Sequence, residues 1–204
     1  MIKNKNKNKT KRIRKNTNKT KKQKGNKIKI KGKNKTKRIS VPKRYLPDVL
    51  TEYDKQKYKS ELNMSRDKYK NGKYYTRKKL RSFKSKKSNH IKNAMKLYNV
   101  KKIRPSKELS KKTQCSLSSL QKIHKKGQGA YYSSGSRPNQ TAHSWGYARL
   151  ASAITGGPSS VIDNHLLEEG CKHTSKALLL SRKNKKINKN KIKQTKRLMM
   201  RVNK

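Results

Sequence analysis

Glu108-Leu109-Ser110-Lys111-Lys112-Thr113-Gln114-Cys115-Ser116-Leu117-Ser118-Ser119-Leu120-Gln121-Lys122-Ile123 reads as two helices joined by a tight turn. Leu109 and Ser110 are an apolar residue followed by a small one on a first short helix. Cys115 is a small apolar residue placed after the turn. Ser116 carries the side-chain oxygen that an N-cap needs, and Leu120 and Ile123 recur at the spacing of a buried helical face.

The order helix, turn, helix resembles the units that lay a second helix in the DNA major groove, with Gln121, Lys122 and Ser118 facing the bases. Two residues depart from that pattern. Gln114 stands where the turn usually holds glycine, and Leu117 where an exposed residue is expected. The competing reading is an ordinary helix pair that buries Leu109, Leu117, Leu120 and Ile123.

Outward from this stretch the helical signals continue. Pro42 and Pro47 bracket Arg44-Tyr45-Leu46, where order is expected to begin. Asp48 is placed to cap a helix over 48–62, and a second helical stretch at 65–70 ends at Asn71-Gly72. The basic, aromatic run 74–83 fits either a helix or a strand. Ser88 opens a helix through about 98, with Ile91, Met95 and Tyr98 on one face, and Pro105-Ser106 start the next element. Thr141 or Ser144 caps a helix through 155 whose Gly146, Ala148, Ala151 and Ala153 permit close packing. Gly156-Gly157 stop it, and Pro158 suits the first turn of a last helix carrying Val161, Ile162, Leu166 and Leu167 and ending at Gly170. A short apolar patch follows at 176–180. The expected fold is mainly α: one small helical domain over 45–180, with a Gly/Ser loop block at 125–157, flanked by disordered Lys-rich arms at 1–44 and 181–204.

The arms hold the densest charge. Residues 1–44 carry 21 Lys or Arg and residues 182–204 carry 11, neither with an acid, and the net +52 therefore splits as +21, +20 and +11 along the chain. Ordering a residue costs roughly 1–2 kcal/mol, and a run such as Lys3-Asn4-Lys5-Asn6-Lys7 has no apolar face whose burial could offset it. A/T-rich codons account for the asparagines and explain the missing acids less well; a merely solvating role is the alternative to polyanion binding. Such arms suit a polyanion. No stretch approaches the ~20 apolar residues of a membrane span, and no apolar run follows the charged N-terminus, so neither a transmembrane segment nor a secretory signal is expected. Cys115 and Cys171 are too few for a disulfide framework, and a reducing compartment is the expected setting.

Three further groups of residues can carry chemistry. Residues 125–141, Lys-Lys-Gly-Gln-Gly-Ala-Tyr-Tyr-Ser-Ser-Gly-Ser-Arg-Pro-Asn-Gln-Thr, combine glycines with hydroxyls, Lys125, Lys126 and Arg137, which suits phosphate oxygens; a structural loop pinned by Asn139 and Gln140 is the alternative. The run lacks the Gly-Lys-Ser/Thr ending of a P-loop and the spacing of a dinucleotide fingerprint. His143, His165, His173, Cys171 and Asp163 match no metal spacing, so no metal and no cofactor is expected; His143 beside Arg137 is a weak catalytic option. Tyr45, Tyr53, Tyr58, Tyr69, Tyr74 and Tyr75 interleave with cations, which suits base stacking but suits a buried ridge better for most of them.

Ser65-Arg66-Asp67-Lys68-Tyr69-Lys70, Lys73-Tyr74-Tyr75-Thr76-Arg77-Lys78, the block from Lys126-Gly127-Gln128-Gly129 to Ser136-Arg137-Pro138-Asn139-Gln140-Thr141, Ser144-Trp145-Gly146-Tyr147-Ala148-Arg149-Leu150-Ala151-Ser152 and Thr155-Gly156-Gly157 together resemble a family of uncharacterised proteins from large double-stranded DNA viruses of eukaryotes, the giant-virus and chlorella-virus group. The resemblance runs from about 44 to 171. It implies a viral origin and a shared domain, and it supplies no mechanism.

These readings converge on a viral nucleic-acid-binding protein, virion-associated, that neutralises or tethers packaged DNA through its basic arms, with DNA preferred over RNA as partner. Lys122, Lys125, Lys126, Arg137, Arg149 and Gln121 are the expected contacts, with Trp145 and Tyr147 as stacking or core residues. One alternative is a structural virion protein that binds anionic lipid or capsid proteins; another is a small nucleic-acid-modifying enzyme using residues 126–143. The expected location is the virion, or the virus factory or nucleus of the host cell. No small-molecule substrate is indicated.

Overall fold

Glu52–Lys70 forms the first helix, α1, because Thr51 caps it: the Thr51 hydroxyl accepts the Asp54 N–H at 3.3 Å. The expected cap, Asp48, is not used. A turn closed by the Leu50 N–H on the Pro47 carbonyl at 3.2 Å carries Leu50 into the core and delays the helix by one turn. The break expected near 62–65 is also absent. Ser65 sits inside the continuous helix, buried, with its hydroxyl donating to the Tyr132 carbonyl at 3.3 Å, so tertiary bonding overrides a weak local preference. Asn71 and Gly72 end the helix where expected, Gly72 at φ +70°.

The remaining elements are α2 (Asn89–Tyr98), α3 (Lys107–Thr113), α4 (Leu117–Ser133), α5 (Ala142–Ile154), α6 (Pro158–Ile162), α7 (Asn164–Gly170) and α8 (Lys176–Val202). The structure, a computed structural model, describes residues 41–42, 45–86 and 88–202. Among these residues it is all helix and connection, with one isolated antiparallel bridge at Cys115 and Cys171. The arm expected over 1–44 lies outside the described residues apart from Val41 and Pro42.

Both residues named for the start of α5 take part in its cap. The Thr141 hydroxyl accepts the Ser144 N–H at 3.1 Å and the Ser144 hydroxyl accepts the Thr141 N–H at 2.9 Å, a reciprocal capping box. Pro158 occupies the first turn of α6, and Asp163 then divides the expected last helix into α6 and α7. The boundary expected at residue 180 falls inside α8. Ser181 donates to the Ser160 carbonyl at 2.7 Å, Lys185 to Asn164 Oδ1 at 2.5 Å and the Asn184 amide to the Gly156 carbonyl, so polar side chains past 180 still fasten α8 to the domain.

α4 and α5 are the central pair. Leu109, Leu120, Ile123, Leu150, Ile154, Leu167 and Leu178 fill the main core between α3, α4, α5, α7 and α8, with Ala94 and Tyr98 of α2 against them. The expected Gly/Ser loop at 125–157 is a correction: residues 125–133 belong to α4, and Gly127 marks where α4 crosses α5. A Cβ on Gly127 would lie 2.6 Å from Gly146 Cα, and a Cβ on Gly146 would lie 2.6 Å from His124 Cδ2 and 2.9 Å from the His124 carbonyl. Gly146 thus permits the close packing expected of its helix, while Gly127, expected in a phosphate-binding loop, serves the same approach of two helices. Gly146→Ala is expected to force the pair apart and destabilise the domain by about 2 kcal/mol, read as a lowered midpoint in urea with an unchanged slope.

The run 74–83 is neither helix nor strand. It lies extended beside α1, and side chains take the place of a β partner. Glu61 Oε2 accepts the Lys78 N–H at 3.1 Å, Asp54 Oδ2 accepts the Ser82 N–H at 3.0 Å and its hydroxyl at 2.5 Å, and Asn139 Oδ1 accepts the Leu80 N–H at 2.8 Å while its amide donates to the Leu80 carbonyl at 3.0 Å. The hydrogen bonds from Ser82 hold the Asp54 carboxyl below its ordinary pKa. A second apolar cluster of Leu50, Tyr58, Leu62 and Leu80 closes this side.

Arg77 ties the extended run to α1 and α4. It is 6% exposed, and its guanidinium donates to the Tyr131 carbonyl at 2.9 Å, to Ser65 Oγ at 3.0 Å and to Ser136 Oγ at 2.8 Å, with its carbon 3.7 Å from the centre of the Tyr131 ring. Arg66 donates to the Ser134 carbonyl at 2.9 Å, and Tyr58 donates to the Ser136 carbonyl at 2.9 Å. The carbonyl of Ser134 and the side chains of Ser136 and Asn139, which a ligand-binding loop would offer outward, are thus turned into the protein, while the Ser134 hydroxyl stays exposed.

The cysteines are a further correction. Cys115 and Cys171 are bonded as a disulfide. The turn after α3 lies against the end of α7: the Ser116 N–H donates to the Gly170 carbonyl at 2.6 Å and the Lys172 N–H to the Gln114 carbonyl at 2.9 Å. Fifty-six residues separate the pair in sequence, and nothing local signals that the two segments meet.

Candidate nucleic-acid interface

The order read from 108–123, a short helix, a tight turn and a second helix, is present. α3 ends at Gln114, which adopts the left-handed conformation (φ 53°) usually given to glycine there, and its N–H is accepted by the carbonyls of Ser110 and Lys111. Thr174 Oγ1 donates to Gln114 Oε1 at 3.3 Å, a contact that glycine could not make. Ser116 caps α4, its hydroxyl accepting the Ser119 N–H at 3.2 Å. Leu109, Leu120 and Ile123 are buried and Leu117 is half-buried, so both readings of the pair share one structure.

Ser118, Gln121, Lys122 and Lys125 are all exposed and follow at three- and four-residue steps, which places them on one face of α4. Gly129 and Tyr132 continue that face. At 1.5 Å per residue the stripe from 118 to 132 is about 21 Å long. Lys122 Nζ lies 3.7 Å from Glu169 of α7, with both side chains more than half exposed, so this pair is a solvated one worth little.

Asp163 sets the charge behind the stripe. It is fully buried, and its carboxylate accepts from Arg149 Nε at 2.7 Å, from Arg149 Nη2 at 2.8 Å and from Lys126 Nζ at 3.0 Å. The bidentate fork engages the Arg149 guanidinium, while Lys126 remains partly exposed and its Nζ also lies 3.5 Å from His165 Nε2. Lys126 and Arg149, two of the expected phosphate contacts, therefore share one buried carboxylate. Nothing in the sequence signals this, because Asp163 sits between two short helices with no motif around it.

Arg137 and His143, named together as a weak catalytic option, are both exposed. The Gln128 amide lies 3.1 Å from His143 Nδ1, and no hydrogen bond joins His143 to Arg137 among the described residues. His124 is buried, stacks on Tyr147 at 4.6 Å and lies 5.6 Å from His143. Burial, with the neighbouring His143, holds the His124 imidazole below its ordinary pKa and favours its neutral form. Trp145 is half-buried, edge-on to Tyr45 at 5.9 Å. Among the described residues no three His, Cys, Asp or Glu side chains gather as metal ligands, and no helix is long and apolar enough to cross a membrane.

The tyrosines divide. Tyr45 and Tyr58 are buried, as a ridge would be, while Tyr53 and Tyr74 are exposed and Tyr69 and Tyr75 lie between. Tyr69, Tyr74 and Tyr132 come together at the end of the α4 stripe, their rings 4.9–6.0 Å apart. Tyr132 was absent from the sequence grouping because it reaches the others only through the packing of α4 on α1.

Among the described residues, seven acids have polar partners within the protein. The domain carries all nine. Asp54, Glu61 and Asp163 are buried and spent on internal hydrogen bonds, while Glu52, Asp67, Glu168 and Glu169 each face a cation on the surface.

With this geometry, residues 42–165 match the model of a family of unknown function, DUF5824. The chain belongs to that family. No curated protein and no solved structure matches the chain.

Proposed function

We propose that this chain is a viral nucleic-acid-binding protein, carried in or assembling with a virion, that neutralises and tethers packaged DNA through its basic arms while the helical domain supplies a fixed contact face. The observation that carries the reading is where the acids go. A chain of net charge +52 has nine carboxylate side chains, three of them buried and four opposed by surface cations. The surplus lysines are left for an external polyanion, and one face of α4 presents Lys122 and Lys125 beside Gln121. The viral source rests on the sequence resemblance alone.

Each phosphate neutralised on duplex DNA adds about 0.9 to the slope of log affinity against log salt. Residues 1–40 hold 19 Lys or Arg. If only five of these meet phosphate, deleting 1–40 flattens the slope by about 4 to 5. Titration of one duplex at several salt concentrations reads this directly, and an unchanged slope refutes the role of the arm. Binding to vesicles of anionic lipid, with none to DNA or RNA in dilute buffer, would favour the structural virion protein instead.

A further inference from the structure

We propose that Tyr69, Tyr74 and Tyr132 form a stacking platform for the unpaired bases of single-stranded nucleic acid, whose phosphates continue along the Lys122–Lys125 face of α4. This deepens the nucleic-acid reading above and rests on it.

The platform is built from three segments. Tyr69 lies in the last turn of α1. Tyr74 follows the Asn71-Gly72 turn, and Tyr132 lies near the end of α4. Tyr69 and Tyr132 are nearly parallel, 15° apart with centres at 5.8 Å, and Tyr74 leans on Tyr132 at 4.9 Å and 53°. A ridge made for the core would hide these rings. Tyr74 is instead 73% exposed, and Tyr69 and Tyr132 are only half-buried. Gly129 lets Tyr69 lie across α4, since a Cβ there would be 3.2 Å from the Tyr69 hydroxyl. That places the tyrosines in line with the exposed stripe, seven residues beyond Lys125, or about 10 Å along the helix.

The surroundings suit phosphate. Residues 66–86 hold ten Lys or Arg, of which Arg66 and Arg77 are buried and bonded internally, and one acid, Asp67, which lies 3.8 Å from Lys70. Exposed aromatic rings next to a cationic track are how sequence-tolerant binders hold a single strand, because every unpaired base offers a π-face and a base inside a duplex does not. Paired bases keep their faces stacked on one another and offer none to these rings. The same features would be idle against a duplex, where the lysine stripe alone would act.

Affinities of the full chain for dT12 and for a 12-base-pair duplex, measured by anisotropy at one salt concentration, test the platform. Tyr74→Ala is expected to weaken binding of dT12 about tenfold and to leave duplex binding within about twofold, while Tyr74→Phe, which keeps the ring, retains dT12 binding. Tyr74 is a surface residue, so folding is not at stake. Equal loss on both nucleic acids, no loss on dT12, or a Phe variant as weak as the Ala variant would overturn the platform while leaving the broader reading standing. A parent chain that binds neither nucleic acid would remove that reading, and the platform with it.

Discussion

Arg77→Ala is expected to lower the free energy of unfolding by about 4 kcal/mol, the largest effect of any single substitution considered for this domain. The side chain makes three hydrogen bonds from a charged donor and lies flat against Tyr131. Truncation leaves the Tyr131 carbonyl and the hydroxyls of Ser65 and Ser136 without that donor in a buried setting, and it opens a cavity where α1, the extended run and α4 meet. A natural domain is stable by only about 5–15 kcal/mol, so the alanine variant stands near the limit of folding. Arg77→Lys keeps the charge but lacks the planar fork that spans three acceptors, and it is expected to lose about half as much. Urea unfolding followed by the fluorescence of Trp145, the single tryptophan, reads both variants. A lysine variant as stable as the parent would show that the fork is dispensable.

Reduction of the Cys115–Cys171 disulfide is expected to cost a similar amount for a different reason. The bond closes a loop of 56 residues, and the chain-entropy relation for a loop of that length gives about 4 kcal/mol of stabilisation through restriction of the unfolded chain. For a domain of this size that corresponds to a fall in melting temperature of about 10 °C. Thermal melts with and without a thiol reductant measure it, and a chain carrying both Cys115→Ser and Cys171→Ser is the control, since its melting temperature must not respond to reductant. An unchanged melting temperature in the parent would show that the bond contributes nothing. The same bond bears on the contact face, because it fastens the turn that aims α4 to the end of α7.

Much of the domain was legible because helix ends are local chemistry. Ser106, Ser116 and Thr141 cap helices with their own hydroxyls, Gly72 and Gly156 stop them at positive φ, and Pro158 opens α6. Apolar spacing on α2 and α4 identified the buried faces for the same reason. The failures have a common physical origin. Gly127 and Gly129 read as loop signals, because a sequence shows that a residue is small and not what approaches it. Asp48 reads locally as the cap, because the turn that positions Leu50 depends on a core that local reading does not contain. The run 74–83 had no assignable structure, because its hydrogen-bond partners are side chains up to 59 residues away.

For the site the division is sharper. Ser118, Gln121 and Lys122 could be placed on one face from their spacing, since helical periodicity is a property of consecutive residues, whereas Lys125 joins that face only because α4 runs on to Ser133. That Lys126 and Arg149 converge on Asp163, that Cys115 meets Cys171, and that Tyr69, Tyr74 and Tyr132 gather at the end of the stripe could not be. The sequence by itself determined the excess of positive charge, the helical character and most helix ends, because those follow from composition and near neighbours. Only the tertiary structure decided which charges are consumed inside and which aromatic rings remain at the surface, because both depend on burial between segments far apart in the chain.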